Sequence, residues 1–261
     1  MRRSGKWDVP EIVELRVRIL EHADRGQGKA SHENYRALAE RVLFRELAIT
    51  AEDIVQYYLP LRNSGYLSAK QKFFLLLSFA GDRLLERLLK LEADEGKTVV
   101  SESEVENWYA EERRGEWREP SEQKIRSFFL EMLCAEQRNG ILEFFLNHSP
   151  GQVAAGSVLR EQGNTKEVSG AGVGIKVGER WFLLKFLTLE EGELCRAIRH
   201  LVSECGYGEL TRVQPVFQGV WCGKRKIHAV RPPCADWGIC IGAVEKKGRD
   251  QQSIEHWVYR V

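Results

Sequence analysis

The 261-residue sequence has no apolar run approaching the roughly 18 residues of a membrane-spanning helix, so no membrane partner is expected. Its opening residues, Met1 to Asp8, are basic but lead into Glu11, Glu14, Arg16 and Arg18 where a signal peptide would have an apolar core. Secretion is therefore not indicated, and the expected location is the cytoplasm. Cysteine is sparse, with 6 residues at Cys134, Cys195, Cys205, Cys222, Cys234 and Cys240, and no CxxC pair occurs. That excludes a small disulfide scaffold and predicts thiols in a reducing compartment. A GxGxxG fingerprint is missing too. The cluster Gly170-Ala171-Gly172-Val173-Gly174 leads into a strand, where a dinucleotide-binding fold would start a helix. No cofactor is predicted.

A large excess of one charge is also lacking, since 39 Lys and Arg face 38 Asp and Glu, but the near balance hides an asymmetry. Residues 1–147 carry 23 basic and 26 acidic residues, a net of −3, whereas residues 148–261 carry 16 and 12, a net of +4. Most of the excess falls in residues 212–261, where 9 basic residues meet 4 acidic ones. Attraction to a polyanion is expected to begin there.

With 43% hydrophobic and 30% charged residues the chain can fill a core and stay soluble. The patterning predicts an α+β fold: an all-helical N-terminal half, then a mainly antiparallel β-sheet domain with one principal helix. The boundaries read as a helical domain over 1–148, a linker or mobile loop over 149–172, and a basic α+β domain over 173–261.

In the first half, apolar residues recur at helical spacing over 11–21 and 33–48. Thr50 with Asp53, Ser68 with Gln71 and Ser101 with Glu104 are capping boxes. The second opens a long helix over about 69–91, apolar nearly all round at first. A further helix over 121–138, then Gly140 and the apolar segment 141–146, has the order of a helix-turn-helix leading into a winged module. Lys124, Arg126 and Arg138 would then contact nucleic acid. An ordinary core helix, or one that docks onto a protein partner, is the alternative.

In the second half Gln152 to Glu161 could form a helix within the linker. Val173 to Val177 and Trp181 to Leu189 read as a hairpin turning at Gly178-Glu179, and the apolar run of the second strand predicts burial on both faces. A helix over 190–204 follows, then strands over 210–221, 226–230, 237–244 and 254–261.

Three constellations carry possible chemistry. Cys222, His228, Cys234 and Cys240 could surround zinc, but their even spacing lacks the close knuckle pairs of structural zinc sites, and no metal is predicted. Cys222 with His228 and Asp236 is a generic nucleophile pattern. The richest feature is basic and aromatic: Lys224, Arg225, Lys226 and Arg231 lie close in sequence to Trp221, Phe217 and Trp237, with Lys246, Lys247 and Arg249 beyond. Cationic side chains attract phosphates while exposed rings stack on bases.

Asp236 followed by Glu245 and Lys247 resembles, over about 15 residues, the PD-(D/E)xK pattern of restriction-endonuclease-like nucleases. That resemblance implies carboxylates holding Mg²⁺ beside a scissile phosphate and a lysine acting on the attacking water. If 237–244 is one continuous strand, the two carboxylates sit about 30 Å apart.

The sequence therefore predicts a non-catalytic nucleic-acid-binding or accessory subunit, partnered by DNA or RNA or by another protein, using its basic, aromatic C-terminal surface. A Mg²⁺-dependent nuclease using Asp236, Glu245 and Lys247, and a structural subunit whose basic face binds an acidic protein, are the alternatives.

Overall fold

Among the described residues Thr50, Ser68, Ser101 and Ser121 cap the helices they precede. The structure, a computed structural model, describes residues 14–15, 17–19, 32–59, 64–114, 120–137, 140–148, 152–156, 171–223, 225–232 and 238–243. The Thr50 side chain accepts from the Asp53 amide while the Asp53 carboxylate accepts from the Thr50 amide at 2.9 Å. These hydrogen bonds, first that from the Thr50 hydroxyl, hold the Asp53 carboxyl below its ordinary value. Ser68 and Gln71 close a second box, with bonds of 3.3 and 2.8 Å, and Glu104 pairs with Ser101 in a third. Each satisfies amides that a helix start leaves unpaired.

The helices are α1 (His32–Arg41), continued as a π-turn over Val42–Glu46, and α2 (Ala51–Asp53), continued likewise over Ile54–Tyr58. The segment expected as one helix over 69–91 is two, α3 (Ala69–Phe79) and α4 (Gly81–Glu95), with a bend at Ala80, φ −137° and ψ 36°. Gly81 directly follows the bend, and the ladder survives it: the Ala80 amide reaches Leu76 O at 2.8 Å and the Leu84 amide reaches Ala80 O at 2.9 Å. The bend divides two burial regimes. Phe73 to Leu77 on α3 are all buried, whereas α4 buries only the stripe Leu84, Leu88 and Leu91. Gly96, at φ 63°, ends α4 in the left-handed conformation glycine tolerates.

After β1 (Val99–Val100) come α5 (Glu102–Arg114), α6 (Glu122–Gln137) and α7 (Leu142–His148). The segment after Gly140 is thus a helix, where a winged module would begin a strand. Gly140 turns α6 into α7 at φ 55°, and a Cβ there would meet Glu193 Oε1 at 2.7 Å.

The remaining elements are β2 (Gln152–Gly156), β3 (Ala171–Val177), β4 (Arg180–Leu189), α8 (Glu191–Glu204), β5 (Val216–Trp221), β6 (Arg225–Val230) and β7 (Gly238–Ala243). They form a seven-stranded sheet ordered β1-β4-β3-β2-β7-β6-β5, antiparallel except for the β1–β4 pair. The fold is α+β as expected, with its helices concentrated in the first half and one long helix among the strands. Two features correct the sequence reading. Residues 152–156, expected as linker or helix, are a central strand between β3 and β7; the short run Val153-Ala154-Ala155 is apolar enough to be buried but too short to show a period. The sheet's far edge, β1, comes from the helical half.

The β3–β4 hairpin turns at Gly178, φ 57°, as its sequence requires. Strand β4 alternates, however. Phe182, Leu184, Leu187 and Leu189 are buried while Lys185 and Thr188 are exposed, so only one face is covered by the main core. On the other, Trp181 and Leu183 pack half-buried against Ala154 and Cys240.

One continuous apolar core joins the helices to the sheet. Phe73 of α3 lies 5.2 Å from Phe186 of β4, centroid to centroid, and Phe74 stacks on Phe144 of α7 at 4.5 Å. Helix α8 buries Leu194, Ala197, Ile198, Leu201 and Val202 on the same side of the sheet. The last strand expected, over 254–261, lies outside the described residues. No helix among the described residues is long and apolar enough to cross a membrane.

Candidate nucleic-acid interface

Sheet register decides which of the predicted basic residues share a surface. Side chains alternate along a strand, so residues on one rung point the same way. Trp221 pairs with Arg225 on the core side, and Val220 with Lys226 on the outer side. The outer rung continues from Lys226 to Gly242 of β7. Gln152, one residue before the Val153–Ile241 pair, lies opposite Gly242 in that register, and it pairs in turn with Lys176, which pairs with Trp181. The next rung carries Gln218, His228, Cys240, Ala154, Gly174 and Leu183.

This outer face gathers Lys226, Lys176, His228, Gln218, Gln152 and Trp181. Its centre is paved by Gly242, Gly174, Ala154 and Cys240, all buried. Lys226 has no ion-pair partner among the described residues, whereas Lys176 reaches Glu179 at 3.6 Å. Burial pushes the Cys240 thiol up to about 12, against the opposing pull of the Lys176 ammonium.

The core-side residues have structural partners instead. Trp221 is only 3% exposed, and its indole N–H donates to Glu204 Oε2 at 2.7 Å. A ring so placed cannot stack on a base without leaving the core. Arg225 donates from Nε to Leu146 O at 2.9 Å, in the last turn of α7, where a cation also meets the negative end of the helix dipole. Burial lowers its affinity for a proton from the usual arginine level. Arg231 spans a loop, donating to Leu210 O at 2.7 Å and Pro232 O at 3.1 Å.

The two candidates on α6 are on a different element. Lys124 is exposed at its first turn, and the Arg126 guanidinium lies 5.3 Å from the centroid of the Phe44 ring, a cation–π contact. Arg138, Lys224, Lys246, Lys247, Asp236 and Glu245 lie outside the described residues, as does Cys234. Among the described residues no three His, Cys, Asp or Glu side chains are grouped for a metal, and Cys134, Cys195, Cys205, Cys222 and Cys240 are thiols.

Sequence reasoning reached Lys226 and missed its companions. Lys176, Gln152 and Trp181 belong to three other strands, and only register brings them together. The alternation Lys176 between Ile175 and Val177 was the available sign that this lysine faces away from the core.

A second polar cluster lies among the helices. Glu131 of α6 is buried, bonds His148 Nε2 at the end of α7, and has Arg36 Nη1 of α1 at 3.8 Å. Glu112 of α5 is buried between Arg83 and Arg87 of α4, each at 3.0 Å. Both join helix to helix.

No protein-family model matches this chain, and neither does any curated protein. What the fold defines is a class: a mixed α+β protein whose antiparallel sheet packs helices on one face and carries a lysine-bearing rung on the other.

Proposed function

We propose that the chain is a non-catalytic accessory subunit of the cytoplasm that binds nucleic acid through the outer face of its sheet. The observation that carries this reading is the rung holding Lys226 and Lys176 on one face, with Lys226 unpaired among the described residues. Three strand spacings put the two lysines about 14 Å apart, a span that reaches more than one phosphate of a backbone. Gln218, Gln152 and His228 add hydrogen-bonding groups to the same face, and Trp181 stands at its end.

Binding is favoured over Mg²⁺-dependent cleavage because β7 keeps strand geometry throughout Gly238–Ala243. The five steps from Gly238 to Ala243 set the two ends of that strand about 17 Å apart, and Asp236 and Glu245 lie beyond opposite ends of it in sequence.

Labelled single- and double-stranded DNA and RNA, titrated at two salt concentrations with and without Mg²⁺, test the proposal. Salt-sensitive binding that Lys226→Glu and Lys176→Gln each weaken is expected. Arg225 is left intact, since its loss disturbs the fold. Binding unchanged in both variants, or none at micromolar protein, overturns the reading, and strand cleavage with Mg²⁺ replaces it by the nuclease.

A further inference from the structure

Helix α8 ends on Glu204 and strand β5 ends on Trp221, and the 2.7 Å indole–carboxylate hydrogen bond ties those two ends together. The next residue on each element is a cysteine. Cys205 continues the helix, its amide reaching Leu201 O at 3.1 Å, and sits half-buried against the core. Cys222 opens the β5–β6 turn, exposed, with φ 48°. Few residues other than Gly, Asn or Asp occupy that left-handed region, at a cost of about 1–2 kcal/mol. We propose that Cys205 and Cys222 form a reversible thiol–disulfide pair, oxidised by low-molecular-weight disulfides of the glutathione kind. This site is independent of the nucleic-acid reading.

The two thiols have different parts. Burial, then the neighbouring Glu204 carboxylate and Cys222, push the Cys205 thiol up to about 11, so its thiolate fraction at neutral pH is reduced on the order of 100-fold. Cys222 is exposed, so it is the thiol that a dissolved disulfide reaches. It is the attacking group. Its thiolate displaces one glutathione thiolate from glutathione disulfide, leaving a mixed disulfide on Cys222. Cys205 then loses its proton to solvent and attacks the Cys222 sulfur, and the second glutathione thiolate leaves and is protonated. Two protein thiols are oxidised and one glutathione disulfide becomes two glutathiones. The weak nucleophilicity of Cys205 makes the second step the slow one.

Trypsin places the cysteines in separate peptides, His200–Arg212 and Val213–Lys224. The reduced full-length protein is exposed to glutathione disulfide, quenched in acid with a thiol-blocking reagent, digested and weighed. The expected product is the two peptides joined, lighter than their sum by two hydrogens and separated again by dithiothreitol, appearing after glutathione-bearing Val213–Lys224. In Cys205→Ser the glutathione adduct on Cys222 accumulates and persists; in Cys222→Ser neither species forms. An adduct on Cys222 that persists equally in the natural protein and in Cys205→Ser overturns the proposal, as does a link from Cys222 to any other cysteine.

Discussion

The ring of Phe217 lies over Gly219, two positions along the same strand, so closely that a Cβ on the glycine would sit 2.3 Å from Phe217 Cζ. The ring has little freedom to yield, because Phe217 is buried and Tyr207 contacts it at a centroid distance of 5.0 Å. Gly219→Ala is therefore expected to destabilise the fold by about 1–3 kcal/mol through overpacking, read as a lower urea midpoint. Gly192, in the first turn of α8 with open space around it, is the control. Its change to Ala is expected to be neutral or stabilising by up to about 1 kcal/mol.

Arg225 holds the β5–β6 hairpin to α7 through the carbonyl of Leu146. Arg225→Met keeps much of the packing stem but strands that carbonyl, at an expected cost of about 1–3 kcal/mol. Equilibrium unfolding measures it, and an unchanged midpoint would show that the bond contributes nothing.

Glu131 is a buried carboxylate that bonds His148 Nε2 and has the Arg36 guanidinium at 3.8 Å. Glu131→Ala leaves both without it inside a three-helix junction, and breaking such a pair typically costs about 3–5 kcal/mol, toward the low end here because both partners keep some access to water. A double substitution of Glu131 and His148 to apolar residues should recover part of the loss. A cycle showing simple additivity would mean that the two side chains do not act on one another.

The raised Cys240 thiol gives a pH dependence of definite sign. The folded state keeps this proton up to about 12, whereas the unfolded thiol, with an ordinary value of 9.0, releases it earlier. Between those values the unfolded chain binds fewer protons, so the contribution is complete below pH about 9 and falls by about 1.4 kcal/mol per pH unit above it. Unfolding free energies of the natural protein and Cys240→Ala, compared at pH about 8 and about 10, should converge by roughly that amount. Parallel behaviour would show that Cys240 is not shielded.

The readable parts of this fold were those whose signals are local. Thr50, Ser68 and Ser101 announce their helices within three residues, and Gly178 sits between two runs with strand alternation. β2 was hidden because Gln152 to Gly156 contains little besides small residues, and its identity as a strand rests on partners about 20 and 85 residues onward in β3 and β7. Ala80 was hidden for another reason: both sides of the bend are good helix formers, and the change lies in how much of each helix is buried. The basic residues near 225 were legible as charge, but charge does not tell Arg225, turned toward Leu146, from Lys226, turned away. That distinction is one of parity along a strand, and it requires the register.

The pairing of β2 with β7 has a consequence for how the chain is made. The first and last strands of the two three-stranded arms meet at the centre of the sheet, so β4-β3-β2 cannot be joined to β7-β6-β5 until residues 238–243 have been synthesised. At about 5–20 residues per second, synthesis from Gly156 to Gly238 takes on the order of 4–16 s. Throughout that interval the edge of β2 destined for β7 awaits its partner, and the nascent protein is most exposed to mispairing after the helices of its first half are already complete.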